Sequence, residues 1–245
     1  MISLLGLIAS GYQASAAPPL VTSSLAIHYD FTNPSCYPGS GNTVQDLTAN
    51  NRDLVFVNTP TWNSTYFTFD GVNDYGNIIN ISSVNTQGAV GYWFKLTDSL
   101  VTSLNQRLSG INSDWEFGRL DAAGGSAFGC GPYANVPNGS ISADLGGPNE
   151  TYTDGVSFNN TTWFNLVFTW NVSTSAKSYV NGVNVSYNCP AGNLSRTGTW
   201  TVGRSPGNTA RYLKANLGWM TYYNRQLTDA EVAQNFNATK GNYGY

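Results

Sequence analysis

The alternation of apolar and polar residues predicts β-strands along most of the chain. Its clearest example is the segment WFNLVFTW, which runs from Trp163 to Trp170 and carries large apolar side chains at every second position. A period of two in aromatic and β-branched residues is typical of a strand. Because one face is wholly apolar and the other only partly so, we expect this strand to lie inside a pair of stacked sheets. The dipeptide Asn181-Gly182 follows between apolar residues, and it predicts a hairpin with a type I′ turn.

Further short strands are predicted wherever alternating segments are bounded by turn-forming residues. The region 121–150 is rich in Gly, Pro and Asn, and it is expected to be mostly loops with short strands. The pattern as a whole indicates an all-β fold, a two-sheet antiparallel sandwich. The other predicted strands are 24–31, 54–57, 66–70, 90–96, 107–111, 115–120, 199–203 and 215–223.

One short helix is predicted near the C-terminal end of the sequence. Thr228 and Glu231 have the spacing of a capping box, in which each side chain satisfies a free backbone N–H of the first helical turn. Leu227 and Val232 stand where a hydrophobic staple would form. The helix is expected to run from about residue 229 to residue 237, because Gly at position 241 disfavours further extension.

Composition changes this picture by suggesting where the protein works. Only 10% of the 245 residues are charged, against about 25% in an average soluble protein. Polarity comes from Asn, Ser, Thr and Gly, a profile that suits an extracellular or virion-surface β protein more than a cytosolic enzyme. The net charge of -3, without a basic cluster, argues against nucleic-acid binding. The length favours one large domain, assigned to residues 21–245.

Residues 1–20 form an apolar segment for which two interpretations are open. Ala14-Ser15-Ala16 resembles a signal-peptidase site, but no Lys or Arg precedes the apolar run. The run from Ile2 to Ala9 is also shorter than the ~20 residues that a membrane-spanning helix needs. We therefore favour an N-terminal arm that packs its leucines against a neighbouring subunit or its own domain. The alternative is a cleaved signal, in which case the natural protein starts at Ala17.

The three cysteines, Cys36, Cys130 and Cys189, permit at most one internal disulfide and leave one thiol over. Their spacing matches no zinc motif. Three half-buried cysteines without a bond are the other interpretation, and the pairing stays open.

Several segments, taken together and in order, resemble a laminin-G-like domain of the concanavalin A-like lectin/glucanase superfamily. The resemblance covers about residues 21–245, and it implies a jelly roll of two antiparallel sheets. Two segments, DFTNPSCYPGSG at 30–41 and YNRQLTDAEVAQNFNATKGNYG at 223–244, are also similar to domains in structural proteins of large viruses and phages. The matching segments are 24–54, 67–78, 91–96, 161–170, 177–185 and 217–245.

The segment DGVNDY at 70–75 matches the block that joins two strands in this family. Asp70, Asn73 and Asp74 offer oxygen atoms that could bind Ca²⁺ or sugar hydroxyl groups. The same side chains could instead cap backbone N–H groups in a turn. We favour the turn, because three residues are too few for an ion that takes about six to eight oxygen ligands. Ca²⁺ is thus a possible cofactor, and no other is indicated.

Glucanases of the superfamily carry two or three carboxylates on one strand face as Glu-x-Asp-x-x-Glu. The nearest pattern here runs from Asp114 to Asp121, with Glu116 two residues after Asp114 but Arg119 where the third acid should stand. Retaining hydrolysis needs two carboxyl groups about 5 Å apart. We therefore predict no catalytic residues and a non-enzymatic protein. The single histidine, His28, is expected to be buried or half-buried within a strand.

Aromatic side chains in loops are candidates for stacking against sugar rings. Those in predicted strands, such as Trp93, Trp163, Trp170 and Trp219, are expected to pack in the core. The loop candidates are Trp62, Trp115, Tyr133 and Tyr152.

Ten Asn-x-Ser/Thr sequences are candidate N-glycosylation sites if the protein meets the necessary transferases. The high content of Asn, Ser and Thr accounts for much of this number. The candidates are Asn63, Asn80, Asn138, Asn149, Asn159, Asn160, Asn171, Asn184, Asn193 and Asn237.

Taken together, these observations predict a non-enzymatic structural or surface protein of a virion, in a capsid or fibre. Its partners would be other virion subunits, reached through the N-terminal arm, and glycans of a host surface. The alternative is a secreted, extracellular lectin that binds carbohydrate, and a glycoside hydrolase is a third hypothesis. The same fold hosts lectins, enzymes and adhesive modules, so the fold alone does not decide among them.

Overall fold

Two antiparallel sheets form the domain in the computed structural model. The structure describes residues 16–245, except for 82, 99–105, 112–114, 121–140, 146–149, 153–155, 157, 187–195 and 208–209. Within these ranges each of the two main sheets has eight strands, and a third sheet is a two-stranded ribbon. The predicted all-β sandwich with one C-terminal helix is therefore confirmed.

Sheet A holds the strand predicted first from the sequence. Its order is β15-β14-β13-β8-β18-β5-β4, and β1 also pairs with β18. All of these pairs are antiparallel. The strands are β1 Leu25–Asp30, β4 Thr61–Trp62, β5 Phe67–Thr68, β8 Gln87–Leu96, β13 Phe164–Asn171, β14 Ser175–Val180, β15 Val183–Asn184 and β18 Ala215–Tyr223.

Sheet B follows the order β12-β11-β10-β9-β17-β6-β3-β2, and the ribbon pairs β16 with β7. Its strands are β2 Thr43–Val44, β3 Leu54–Asn58, β6 Tyr75–Ile78, β9 Gln106–Ile111, β10 Trp115–Leu120, β11 Ile141–Leu145, β12 Glu150–Tyr152 and β17 Trp200–Val202. The ribbon strands are β7 Ser83–Val84 and β16 Arg196–Thr197.

Aromatic side chains from both sheets meet in one core. Phe117 of sheet B stacks on Trp170 of sheet A, with ring centroids 5.4 Å apart, and on Trp200 at 5.8 Å. The buried Ser109 hydroxyl accepts a hydrogen bond from Trp200 Nε1 at 3.0 Å and is also bonded to the Tyr92 hydroxyl of the opposite sheet. These contacts satisfy polar atoms that burial would otherwise leave without partners.

The predicted hairpin is present between β14 and β15. Asn181 has φ +52° and Gly182 has φ +78°, the positive values that a type I′ turn requires. The turn therefore follows from the dipeptide itself.

The helix α1, Asp229–Thr239, packs on the outer face of sheet A and is followed by a 3₁₀ helix at Lys240–Tyr243. Val232 joins Val167, Tyr179 and Tyr223 of the sheet in a second apolar cluster. Both faces of β13 are consequently buried, which explains why its second face is also partly apolar.

The capping box is present as predicted, but the helix is two residues longer than expected. Glu231 N donates to Thr228 Oγ1 at 3.3 Å, and Thr228 N donates to Glu231 Oε2 at 2.9 Å. Helical structure continues because the following turns pack on Trp93, whose ring stacks on Tyr243 at 4.4 Å and donates to Thr239 Oγ1 at 2.8 Å. Tertiary packing thus overrides the weak stop signal of the glycine.

The segment Pro19–Val21 is held against α1. Gln234 Nε2 donates to the Pro19 carbonyl oxygen at 2.8 Å, and Val21 N donates to Asn235 Oδ1 at 2.9 Å. Tyr223 also donates to the Val21 carbonyl oxygen at 2.8 Å. The leucines of the predicted arm lie outside the described residues, so the arm stays a prediction. No helix in the described part of the chain is long and apolar enough to cross a membrane.

Candidate functional site

A row of polar side chains crosses four neighbouring strands on the outer face of sheet A. Lys95 of β8 stands opposite Asn216 of β18, Asn216 opposite Thr68 of β5, and Thr68 opposite Thr61 of β4. Directly opposed residues of antiparallel strands have Cβ atoms about 5 Å apart, so this polar row is on the order of 15 Å long. The backbone register alone therefore places an ammonium group, an amide and two hydroxyl groups in line.

Hydrogen bonds orient the middle of the polar row. Thr68 Oγ1 donates to Asn216 Oδ1 at 2.6 Å and accepts from Asn63 Nδ2 at 2.9 Å. The same Asn63 nitrogen donates to the Thr61 carbonyl oxygen at 3.0 Å. Asn216 is only 8% exposed, whereas Thr68 is half-buried and Thr61 is exposed. A ligand would thus meet the row from the Thr61 side.

Two aromatic rings stand beside the polar row. Tyr66 and Trp163 are both half-buried, with centroids 5.3 Å apart and planes at 72°. The Lys95 ammonium lies 5.5 Å from the Trp163 ring centroid. This distance permits a cation–π attraction. None of the ion pairs among the described residues includes Lys95.

The C-terminal segment fixes the position of Trp163. Tyr245 donates its hydroxyl hydrogen to the Trp163 carbonyl oxygen at 2.7 Å and accepts from Asn181 Nδ2 at 3.0 Å. Tyr243 packs on the Trp163 ring at 5.1 Å. The ring is therefore positioned before any ligand arrives.

Side chains of this kind suit a polyhydroxylated ligand. Amides, hydroxyls and an ammonium group donate and accept hydrogen bonds, and aromatic rings contact the C–H faces of a sugar. None of the residues of the polar row carries a carboxyl group, whereas glycoside hydrolysis uses two. The arrangement therefore suits binding.

Trp62, predicted to bind sugars, lies on the other side of β4 from Thr61. Its ring packs against Tyr37 at 4.9 Å and Phe67 at 4.7 Å, and it borders the main core while remaining half-buried. The structure therefore does not bring Trp62 into the polar row.

The segment Asp70–Asp74 forms a tight turn. Asp70 Oδ1 accepts from the backbone N–H groups of Val72 at 2.8 Å and Asn73 at 3.3 Å. Asp74 Oδ2 accepts from Asp70 N at 3.0 Å, and the Asn73 carbonyl oxygen accepts from Asn58 Nδ2 at 2.9 Å. Burial raises the pKa of Asp74, and the nearby Asp70 charge acts in the same direction. This is the geometry of the turn interpretation, in which the oxygens serve the backbone.

No group of three potential metal-ligating His, Cys, Asp or Glu residues occurs within the described ranges. Trp115 and Glu116 lie in β10 and Tyr152 lies in β12, and the structure describes only the backbone of these three residues. Tyr133, Asp114, Asp121, Cys130 and Cys189 lie outside the described residues.

Cys36 is a buried free thiol whose Sγ donates to the Gln45 carbonyl oxygen at 3.2 Å. Burial raises the pKa of the Cys36 thiol to about 12.

His28 is half-buried, as expected, and its Nε2 accepts from Trp219 Nε1 at 3.2 Å. Burial lowers the pKa of His28, although nearby Asp30 and Asp46 oppose the shift.

The candidate glycosylation sites differ in accessibility. Asn80, Asn160, Asn184 and Asn237 are exposed, and Asn63, Asn159 and Asn171 are half-buried. Asn138, Asn149 and Asn193 lie outside the described residues. Attachment of a glycan at Asn63 would remove a hydrogen from the amide nitrogen that orients Thr68.

Sequence reasoning named no residue of the polar row as a binding residue and assigned Trp163 to the core. The row joins residues far apart in the chain, and only strand register brings them together. One local signal was available, because Trp163 is out of phase with the apolar face that begins at Phe164.

Comparison with known families gives one match, to a laminin-G model described as the concanavalin A-like lectin/glucanases superfamily, over residues 69–233. The sequence matches no curated protein.

Several solved structures share the fold. The receptor binding domain of botulinum neurotoxin C/D mosaic serotype is 14% identical, with a TM-score of 0.58, and the match covers 87% of this chain and 51% of that one. Trypanosoma rangeli sialidase, in complex with the inhibitor DANA, is 15% identical with a TM-score of 0.59, over 91% of this chain and 35% of the sialidase.

Domain 4 of AbnA, an extracellular arabinanase from Geobacillus stearothermophilus in complex with arabinotriose, is 15% identical with a TM-score of 0.54. Here the match covers 87% of this chain and 98% of that domain. The chain spans about half the length of the neurotoxin domains it matches. At these identities the likeness shows a shared fold.

Proposed function

The chain belongs to the concanavalin A-like lectin/glucanases superfamily, and from this premise we propose that it is a non-enzymatic, glycan-binding surface protein of a virus particle. The observation that carries the binding part is the polar row from Lys95 to Thr61 with its neighbouring rings, Tyr66 and Trp163. The row lies on strands, so its spacing is set by backbone hydrogen bonds. Rigid placement lowers the entropy that a ligand must overcome on binding.

Each part of the polar row has a role in this proposal. Thr61 and Thr68 offer hydroxyl groups to the ligand, and Lys95 donates from the opposite end. Trp163 supplies an apolar surface for a sugar ring. The ammonium group over its ring makes that side of the surface favour oxygen-rich groups.

Two of the similar structures support a binding role. The arabinanase domain was solved with arabinotriose, and it is a domain of about the same extent as this chain. The neurotoxin fragment is described as a receptor binding domain. These properties belong to those proteins, and they support ligand binding as the use of the fold here.

The virion part of the proposal is supported by the sequence. Its grounds are the apolar N-terminal segment, the low share of charged residues and the resemblance of 30–41 and 223–244 to viral and phage structural proteins. The contacts of Pro19–Val21 with α1 give such an arm a fixed starting point on the domain. Detection of the chain by mass spectrometry in purified virions is the test, and its absence from them would remove this part.

The glycan-binding part is tested on a glycan array with the purified protein and the Lys95→Gln and Trp163→Ala variants. Lys240→Gln is a matched control, because Lys240 also places its ammonium over an aromatic ring, 5.6 Å from the centroid of Phe236. We expect the variants at 95 and 163 to lose at least about tenfold in affinity for the bound glycans, and the control to keep it. Absence of binding, or equal binding by all variants, would refute the site.

The secreted lectin remains the alternative, because it would use the same polar row. It differs in predicting a natural chain that starts at Ala17, which intact-mass measurement distinguishes from one that retains the arm.

A further inference from the structure

Arg204 stacks on Tyr75 at the outer surface of sheet B. The guanidinium carbon lies 3.8 Å from the Tyr75 ring centroid, and both side chains are half-buried. Tyr75 faces outward because its neighbours in β6, Gly76 and Ile78, face the core. A second half-buried ring, Tyr212, has its centroid 6.2 Å from that of Tyr75, with the planes at 51°. Together, Tyr75, Arg204 and Tyr212 form what we call the arginine platform.

The backbone around the arginine platform is held firmly. Arg204 and Tyr212 form an antiparallel bridge, and Leu213 N donates to the Gly203 carbonyl oxygen at 2.8 Å. Thr201 Oγ1 donates to the Arg204 carbonyl oxygen at 2.7 Å. Stacking fixes the side chain and these bonds fix its backbone, so the guanidinium is placed before a ligand arrives.

The charge of Arg204 is not neutralised by a carboxylate within the described residues. The ion pairs found there involve Lys177, Lys214 and Arg225. Asp70 and Asp74 bond to backbone N–H groups, and Asp98 pairs with Lys214 at 2.5 Å. Arg204 Nε is buried and has no hydrogen-bond partner in this part of the chain. The platform therefore presents an uncompensated positive charge.

We propose that the arginine platform binds the carboxylate or sulfate group of an acidic sugar. A guanidinium group is planar and bonds to two oxygens of such an anion at once. The two tyrosines add ring surfaces and hydroxyl groups on either side, which suit a sugar ring that carries the acid. An acidic peptide would use the charge but would gain little from the ring surfaces.

This site is independent of the polar row, because the row lies on the outer face of sheet A and the platform on that of sheet B. The glycan-array test with the Lys95 and Trp163 variants and the acidic-sugar test below can therefore succeed or fail separately.

The experiment is isothermal titration of the purified protein with N-acetylneuraminic acid, glucuronic acid, glucose 6-sulfate and glucose. We expect one or more of the acids to bind at least about tenfold tighter than glucose at low salt, because charge-assisted bonds are the stronger ones. This preference should shrink as salt is raised. Which acids bind tells carboxylate from sulfate recognition.

Arg204→Gln should abolish the preference, and Arg204→Lys should retain only part of it, because the ammonium group lacks the planar fork. Thermal unfolding confirms that each variant is folded, and the lysine variant serves if the glutamine variant is not. Lys240→Gln removes one positive charge elsewhere and should keep the preference. Equal binding of acids and glucose would overturn the proposal, as would a preference that survives in both Arg204 variants. Binding of a Glu-rich peptide without binding of the acidic sugars would also overturn it.

Discussion

Glu231 holds the start of helix α1 through a two-pronged ion pair, and Glu231→Gln should destabilise the domain. Arg225 Nη2 lies 2.6 Å from Glu231 Oε1, and Arg225 Nη1 donates to Glu231 Oε2 at 2.8 Å. Thr228 N donates to the same Oε2 atom. Glutamine can keep the capping-box bond to Thr228. The substitution therefore isolates the charge interaction with Arg225.

The expected loss of stability follows from the pKa of Glu231 in the folded protein. Bonding to Arg225 is the largest cause that lowers the pKa of Glu231, to about 2 from 4.5, and bonds to Thr228 contribute in the same direction. A shift of this size sets a ceiling of about 3 kcal/mol. The Glu231 side chain is 26% exposed, so solvent screens the pair, and we expect a loss of about 1–2 kcal/mol at neutral pH.

The pH dependence gives the prediction its sign. Because the pKa is lower in the folded protein than in the unfolded chain, the stabilisation is fully present above the unfolded value of about 4.5. It declines as the pH falls and is lost as the pH passes through the folded value of about 2. The difference between the parent protein and Glu231→Gln should therefore be smaller at pH 3 than at pH 7.

Urea unfolding followed by tryptophan fluorescence at both pH values measures this difference. Asp229→Asn is a suitable comparison, because it removes a carboxylate from the same helical turn. The Asp229 side chain is 60% exposed, so this variant should lose less stability than Glu231→Gln. A Glu231→Gln variant as stable as the parent at pH 7, or a loss that does not change between pH 7 and pH 3, would refute the reasoning.

Two further predictions concern the backbone and the buried thiol. Gly203→Ala should lower the free energy of unfolding by more than about 2 kcal/mol, because φ is +85° and the new Cβ would lie 2.4 Å from Phe69 Cε1. Gly41→Ala is the control, since φ is +94° there but no atom lies within 4 Å of the new Cβ, and it should lower the free energy of unfolding by only about 1 kcal/mol. Equal losses in urea unfolding would show that crowding by Phe69 is not the cause. Cys36 should resist alkylation in the folded protein at neutral pH, because burial raises the pKa of its thiol to about 12 and blocks access of the reagent. Rapid labelling of the Cys36 peptide without denaturant, detected by mass spectrometry, would contradict this prediction.

Local sequence signals predicted the fold well, because each acts over a few residues. The alternation at 164–170 identified β13, and Asn181-Gly182 identified its hairpin, where both residues have positive φ. The capping box identified the start of α1, but the helix end depended on Trp93, which lies far away in the sequence. The sequence near the end of α1 does not reveal this contact, because the contact joins distant segments of the chain.

The candidate site was hardly predictable for the same reason. Thr68 and Asn216 are 148 residues apart, and only the pairing of β5 with β18 makes them neighbours. Trp62 carried the local mark of a loop aromatic, yet strand pairing turned it towards the core. Loop position is thus a poor guide to which aromatic side chains meet a ligand in a sandwich fold.

Pro19–Val21 is bound through α1 on the outer side of sheet A, the side that also carries Lys95 and Thr61. Arg204 lies on the opposite side. A partner that bound the domain through this segment would crowd the outer face of sheet A and leave the outer face of sheet B exposed to solvent. Attachment through this segment would therefore leave the arginine platform as the more accessible of the two proposed sites.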